Sequence, residues 1–404
     1  MTGHHAGPAD PVTAHRVELS PPVPESKADH LATRVFFISE SILDFTLVRA
    51  DGYVHGVDVV LADGVDTAEL ARKFAYVVAT DVLARREVDQ QVLWAVDTAT
   101  APRDVFAELL ASGAAVEVGE GQVALGEPVL SLMDGLDVLL TREVAAEFGA
   151  REYRYPTLIP TSAMARSGYF RSFPQMMMFV ARLHGDLDTY REFLAPPDDG
   201  DGVAARLRSH SGDFDHCLPP TMCFHTYHQL ADRSLPALPV VVTSRGKSFR
   251  HEARYHRSLE RLWDFTIREV VFLGSRAEVL DARERLMRRC RDLVVALGLG
   301  GRCEVASDPF FVDAGTADRV WSQQVLRLKY EFRLPIEPGR DVAVCSFNFH
   351  EQFFGKAYGI TATGVPVHTA CAGFGLERLA YAFLCQHGLD PAGWPRDVVE
   401  ALSA

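Results

Sequence analysis

Long apolar runs are missing from this chain. None of its 404 residues falls in a stretch that could span a bilayer, which takes about 20 consecutive apolar positions. The opening MTGHHAGPADPVTAH lacks the basic-then-apolar order of a secretory leader. A cytoplasmic protein is the resulting expectation. Cysteine is sparse, odd in number at seven, and scattered, which argues against a secreted disulfide framework. Positive charge is short as well. With 41 Lys and Arg against 54 Asp and Glu the formal net charge is −13, so the basic footprint of a protein that grips a whole nucleic acid is absent from the total, although local patches can override it. What is present, 48% hydrophobic and 24% charged residues, describes a globular protein with an ample core, either one large domain or two of ordinary size.

Two familiar signatures are also incomplete. His251-Glu252 opens like a zinc-protease helix, but the next histidine, His256, is five residues on rather than four, so the ligand face is wrong. Gly373-x-Gly375-x-x-Arg378 approaches a dinucleotide-binding turn, yet its last position is Arg and only 29 residues follow Gly375, too few for the rest of a βαβ fold.

In chain order, residues 1–31 are rich in Pro, His and small polar residues and are expected to be a flexible tail. Residues 32–125 predict a small N-terminal α/β module of unknown role. Its alternating strands meet at an Asp51-Gly52 turn, an Asp-capped helix starts at Asp66, and QQVLWAV is a further strand. From Glu127, a long amphipathic helix runs to Gly149 and the strand-like YRYPTLIP follows. The Met run at 176–178 is expected to fill core. LPPTMCFHTYHQL would put Cys223, His225 and Tyr227 on one face if extended. After residue 275 comes a helix with arginines at 276, 283, 285, 288, 289 and 291, either a solvated face or a docking surface for a partner.

The chemistry-bearing stretch is FRHEARYHRSLERLWDFTIRE, Phe249 to Glu269. Arg250 and Glu252 stand at its front, and Arg261, Phe265 and Glu269 follow at intervals of four. That spacing fits either a helix or a strand face; the β-branched and aromatic run FTIREVVFLG favours strand. This pattern resembles motif 2 of the class II aminoacyl-tRNA synthetases, aromatic-Arg-x-Glu followed by Arg-x3-Phe-x3-Glu. The resemblance implies that Arg250 grips the ATP α-phosphate and the attacking carboxylate, that Arg261 reaches the outer phosphates, and that Phe265 stacks on adenine. A planar guanidinium suits a phosphate bidentately, and adenylyl transfer is mostly positioning and charge neutralisation. The C-terminal VHTACAGFGLERL resembles motif 3, which implies that Gly373 and Gly375 let ATP approach the strand and that Arg378 binds the γ-phosphate. The long helix and strand from Glu127 resemble motif 1, the element that pairs two subunits, and imply a homodimer.

Glu269 on an apolar strand face calls for a partner. Cys223 and Cys371 could converge on it around a metal with one open position, or all three could be core groups with Glu269 paired to an arginine. LPPTMCFHTYH, FRHE, RLWDFTIREVVFLG, SFNFH and HTACAGFGLERL resemble the methanogenic-type seryl-tRNA synthetases and, most of all, their truncated relatives, the amino acid:[carrier protein] ligases. That resemblance covers roughly residues 127–390. It implies a class II α+β catalytic domain over 126–404, an antiparallel sheet flanked by helices. It also implies a Zn²⁺ site of Cys223, Glu269 and Cys371, Mg²⁺ with ATP, catalytic Arg250, Glu252 and Arg378, and activation of a small amino acid for a phosphopantetheinylated carrier protein rather than tRNA; the alternatives are a tRNA-charging seryl-tRNA synthetase of the methanogenic type and a non-catalytic synthetase paralogue. Two features depart from the family. Over a hundred extra residues precede the core, and the acidic Mg²⁺ residue expected near Ala343 to Asn348 is not evident, with Asp341 and Glu331 as the candidates.

Overall fold

In the computed structural model, which describes residues 12–84, 91–98, 100–195, 203–254, 258–306 and 327–402, the chain is built in from residue 12 onward. Residues 12–31 were expected as tail; instead strand β1 (Val12–Pro24) is followed after one short turn by helix α1 (Ala28–Ile38). The period-two alternation of Val17 and Leu19, and then Val23, is what the prolines and histidines obscured, and all three are buried. β1 pairs antiparallel with β3 (Tyr53–Ala62), which pairs with β2 (Ile42–Ala50), in the order β1-β3-β2. Helix α2 (Thr67–Val77) is capped by Asp66, whose carboxylate accepts from the N–H groups of Ala68 at 2.9 Å and Glu69 at 3.1 Å. α1 contributes Leu31, Val35 and Ile38, and α2 contributes Leu70 and Phe74, to one core with Val54, Val57 and Leu61. Residues 12–84, with 252–254, group as one compact unit; the other described residues form a second.

The second unit is built on an eight-stranded sheet. Its strands are β4 (Val92–Val96), β7 (Arg151–Tyr153), β11 (Val240–Phe249), β12 (Asp264–Gly274), β13 (Gly301–Val305), β14 (Lys329–Glu337), β15 (Arg340–Phe349) and β18 (His368–Gly375). They lie in the order β4-β13-β14-β15-β18-β12-β11-β7, antiparallel except where β7 joins β11 in parallel. QQVLWAV therefore leaves the N-terminal module and becomes the edge strand of this sheet, with the Trp94 ring against Phe332. Hairpin β5–β6 (Ala115–Gly119, Gln122–Leu125) follows helix α3 (Phe106–Ser112). A small sheet orders β8 (Ile159–Pro160), β10 (Ser211–Leu218) and β9 (Met178–Leu183) as β8-β10-β9, and β16–β17 (Thr361–Ala362, Val365–Pro366) is a short hairpin.

Strand alternation sorts the large sheet into two faces. Val270 and Phe272 of β12 join the main core with helix α4 (Val129–Phe148), helix α10 (Arg276–Ala296) and the helix Leu376–His387. Val271 and Leu273 face the other way, into a second core with Cys223, Tyr227, Phe354 and Cys371. Arg268 points to the α4 side, where Nε and Nη2 each reach Asp137 at 2.7 Å and Nη1 reaches Glu152 at 2.8 Å. Glu269 takes the opposite side.

Packing, rather than solvent, accounts for most of the arginine-rich helix α10. Arg283 is buried, lies over the Tyr330 ring at 4.9 Å and donates to the Arg327 carbonyl at 3.0 Å. Arg285 pairs with Glu147 and Asp281, Arg289 with Glu143, and Arg291 with Asp292. Among the described residues, Arg276 and Arg288 are the exposed arginines of this helix for which no ion pair is seen.

Candidate active site

Cys223, Glu269 and Cys371 come from three separate elements. Cys223 opens helix α9 (Cys223–Gln229), Glu269 is mid-strand in β12, and Cys371 is mid-strand in β18, two positions before the Gly373 that pairs with Glu269. Their ligand atoms all lie within 4.8 Å of one another, and all three residues are buried. The segment around Cys223 is helical rather than extended, so Cys223, His225 and Tyr227 do not share one face, and that matters to the site. A first-turn N–H of a helix has no intrahelical acceptor, and the Cys223 N–H donates to Glu269 Oε2 at 2.8 Å. The Thr221 hydroxyl donates to the same oxygen at 2.6 Å. With both donors on Oε2, Oε1 is left on offer beside the two thiols. Helical spacing also keeps Tyr227 on the Cys223 face, stacked on Phe354 at 4.3 Å, and sends His225 away to stack on Tyr155 at 5.3 Å.

Burial dominates the electrostatics of this pocket. Burial pushes the Glu269 carboxyl up against the pull of Thr221 and the Cys223 N–H. Burial likewise drives the Cys223 thiol well above its ordinary range. The hydrogen bond to Cys223 draws the Cys371 thiol down, but burial and the neighbouring Glu269 carry it up overall. Asn348 Nδ2 donates to Cys371 Sγ at 3.5 Å, and His350 Nε2 stands 3.7 Å from the same sulfur. Burial pushes His350 down to about 3, so it is neutral at physiological pH. Two thiols and a carboxylate, buried together with one carboxylate oxygen uncommitted, match the soft and borderline donors that hold zinc at three corners of a tetrahedron. Thr221, Asn348 and His350 were not singled out from the sequence, although they sit in the phrases LPPTMC and SFNFH.

The arginines and the ring of motif 2 gather at the head of β11 and β12. The Arg250 guanidinium lies 5.3 Å from the Phe265 ring centroid, its Nε donating to the Pro220 carbonyl at 3.1 Å. Arg261 is half-buried in the connection between the strands, and Glu252 is buried. Arg378, in the first turn of helix Leu376–His387, donates to the carbonyls of Glu260 at 2.5 Å and Ala343 at 3.1 Å. At Gly373 an added Cβ would meet the Ile267 side chain at 2.8 Å, whereas Gly375 has ordinary clearance. The two carboxylates considered for Mg²⁺ are ion-paired: Asp341 with Arg302 at 2.5 Å and Arg333 at 2.6 Å, Glu331 with Lys329 at 2.8 Å and Arg333 at 3.0 Å.

An antiparallel sheet backed by helices, with this motif 2 strand pair beside a motif 3 strand–helix, defines the class II aminoacyl-tRNA synthetase catalytic fold. Solved structures agree. A. aeolicus tRNASec in complex with M. kandleri SerRS matches with TM-score 0.70 and 24% identity, covering 90% of this chain and 73% of that one. Seryl-tRNA synthetase from Pyrococcus horikoshii complexed with ATP matches with TM-score 0.59 and 14% identity, covering 83% of this chain and 78% of that one. No family model matches the chain. Among curated proteins, amino acid--[acyl-carrier-protein] ligase 1 of Bradyrhizobium diazoefficiens is 36% identical over 275 residues, 67% of this chain and 82% of that protein. Ligase 2 of the same organism is 36% identical over 252 residues, and type-2 serine--tRNA ligase of Methanothermobacter thermautotrophicus is 29% identical, with 55% of its length covered. The chain belongs to the amino acid--[acyl-carrier-protein] ligase family.

Proposed function

We propose that this protein activates a small amino acid with ATP and passes it to the phosphopantetheine thiol of a carrier protein. The observation that carries this reading is the match to the acyl-carrier-protein ligases over most of their length, against little more than half of the tRNA ligase. In the first step a carboxylate oxygen of the amino acid attacks the ATP α-phosphorus and pyrophosphate leaves. In the second the carrier thiol attacks the acyl carbon and AMP leaves. Arg250, Glu252 and Arg378 carry the first step, with Arg261 at the outer phosphates and Phe265 under adenine. The Arg250 guanidinium beside that ring supports the assignment, because one ligand can meet both. Mg²⁺ accompanies ATP. Gly373 and Gly375 leave the β18 strand bare toward the nucleotide.

Cys223, Glu269 and Cys371 would hold Zn²⁺, which would supply Lewis acidity for binding the neutral α-amino group of the substrate. The chain's own part there is to fix the ligands: Thr221 and the Cys223 N–H set the Glu269 carboxylate, and Asn348 faces the Cys371 sulfur. α4 and β7, which resemble the subunit-pairing motif 1, support a homodimer. The structural likeness to M. kandleri SerRS over 90% of the chain favours a second reading, charging of tRNA. Amino-acid-dependent exchange of pyrophosphate into ATP, tested across the amino acids, checks the activation step. No exchange with any amino acid would contradict it.

A further inference from the structure

Residues 100–126 contain none of the motifs, yet two of the three arginines assigned to the nucleotide, Arg250 and Arg378, are tied back to them. Asp104 accepts from Arg340 Nη2 at 2.6 Å and from the Tyr381 hydroxyl. Arg340 Nη1 donates in turn to the Glu260 carboxylate at 2.7 Å, and the Glu260 carbonyl takes Arg378 Nε at 2.5 Å. A second arm runs through the β5–β6 hairpin. The Gly121 carbonyl at its tip accepts the Trp263 N–H at 2.8 Å, and the Trp263 carbonyl accepts the Arg250 N–H at 2.9 Å. Gly121 has φ of +61°, and a Cβ there would fall 2.3 Å from the Trp263 indole, so no side chain fits. The segment itself is firmly seated. Val105, Leu109, Ala114 and Ala115 are buried in the main core, and the Arg103 N–H donates to the Cys385 carbonyl at 3.0 Å.

We propose that this segment is a brace for the nucleotide site, with Asp104 and Gly121 as positioning residues for adenylate formation. Asp104 sets Arg378 through Arg340 and Glu260, and Gly121 sets Arg250 through the Trp263 backbone. The inference rests on the assignment of Arg250 and Arg378 to ATP. A displacement of about 1 Å in such groups is enough to cost on the order of a hundredfold in rate. A merely structural role would weaken every substrate alike, whereas a brace acts on ATP.

The test is pyrophosphate exchange by full-length Asp104→Asn, Asp104→Glu and Gly121→Ala, with Arg378→Ala alongside and zinc content and thermal unfolding measured on each. The expected result is a roughly ten- to hundredfold fall in kcat/KM for ATP in Asp104→Asn and Gly121→Ala, with zinc content at the parental value in both, the amino-acid KM at the parental value in Asp104→Asn, and partial recovery in Asp104→Glu. Gly121→Ala, on the arm to Arg250, which also meets the amino-acid carboxylate, decides the matter if Asp104→Asn unfolds: the ATP loss is expected at parental zinc content and unfolding temperature. Parental kcat/KM for ATP in the variants while Arg378→Ala is depressed, or an amino-acid KM raised as much as that for ATP in Asp104→Asn, would overturn the brace. A parental Arg378→Ala would instead remove the nucleotide assignment beneath it.

Discussion

Neighbouring residues on β12 do opposite jobs. Arg268 is 3% exposed and its charge is balanced by Asp137, itself 6% exposed; Glu269, one position on, faces the cysteines. Removing one partner of a buried ion pair leaves the other charge stranded, so Arg268→Ala should lower unfolding free energy in urea by about 3–5 kcal/mol. A loss under about 1 kcal/mol would mean that Asp137 finds water. For the cysteines the readout is metal. One zinc per chain is expected in the purified protein, and Cys223→Ala or Cys371→Ser should lose it together with amino-acid activation. A fully active preparation without zinc would return both to the core. At this scale a spacing or a family phrase marked Arg250, Phe265 and the three residues of the candidate metal site, and the fold brings the last three together and sets Arg250 beside Phe265. Thr221, which meets Glu269 from 48 positions away, and Asp104, which meets Arg340 from 236 away, carry no periodic signal; only the fold pairs them.

Elements were legible where a period dominated. The β12 run and the long helix α4 follow their patterns, since a strand buried on both faces is mostly apolar, here broken by Arg268 and Glu269, and α4 is closed by Gly149 at φ +56°. β1 was missed because its alternation is short and broken by prolines, and β4 was misplaced because nothing in QQVLWAV says which sheet it joins. α10 shows how composition misleads. Its arginines looked like a docking face, but four of the six are buried or ion-paired. Charge reversal at Arg285 or Arg289, against Glu147 and Glu143, should therefore cost up to about 1 kcal/mol of stability, whereas Arg288→Glu should leave the urea midpoint unchanged. If the two classes of variant had the same midpoint, α10 would be held to α4 by its apolar face alone. Carrier docking at this helix is left to Arg276 and Arg288, and their reversal should slow transfer more at low salt than at high salt.

Across the whole molecule, the candidate metal site and the candidate nucleotide site both draw residues from the adjoining strands β18 and β12 of the large sheet. The first unit has a core of its own. No helix among the described residues is long and apolar enough to cross a membrane. The net charge of −13 argues against a polyanionic acceptor, local patches aside, because an acidic protein gains little from the counterion release that drives binding to a polyanion. The most direct measurement of the central claim is transfer of a labelled amino acid, in the presence of ATP and Mg²⁺, to holo carrier protein, apo carrier protein and tRNA in parallel. The account predicts label on the holo carrier alone, in a bond that hydroxylamine cleaves as it does a thioester. Label on tRNA with none on any holo carrier would contradict it.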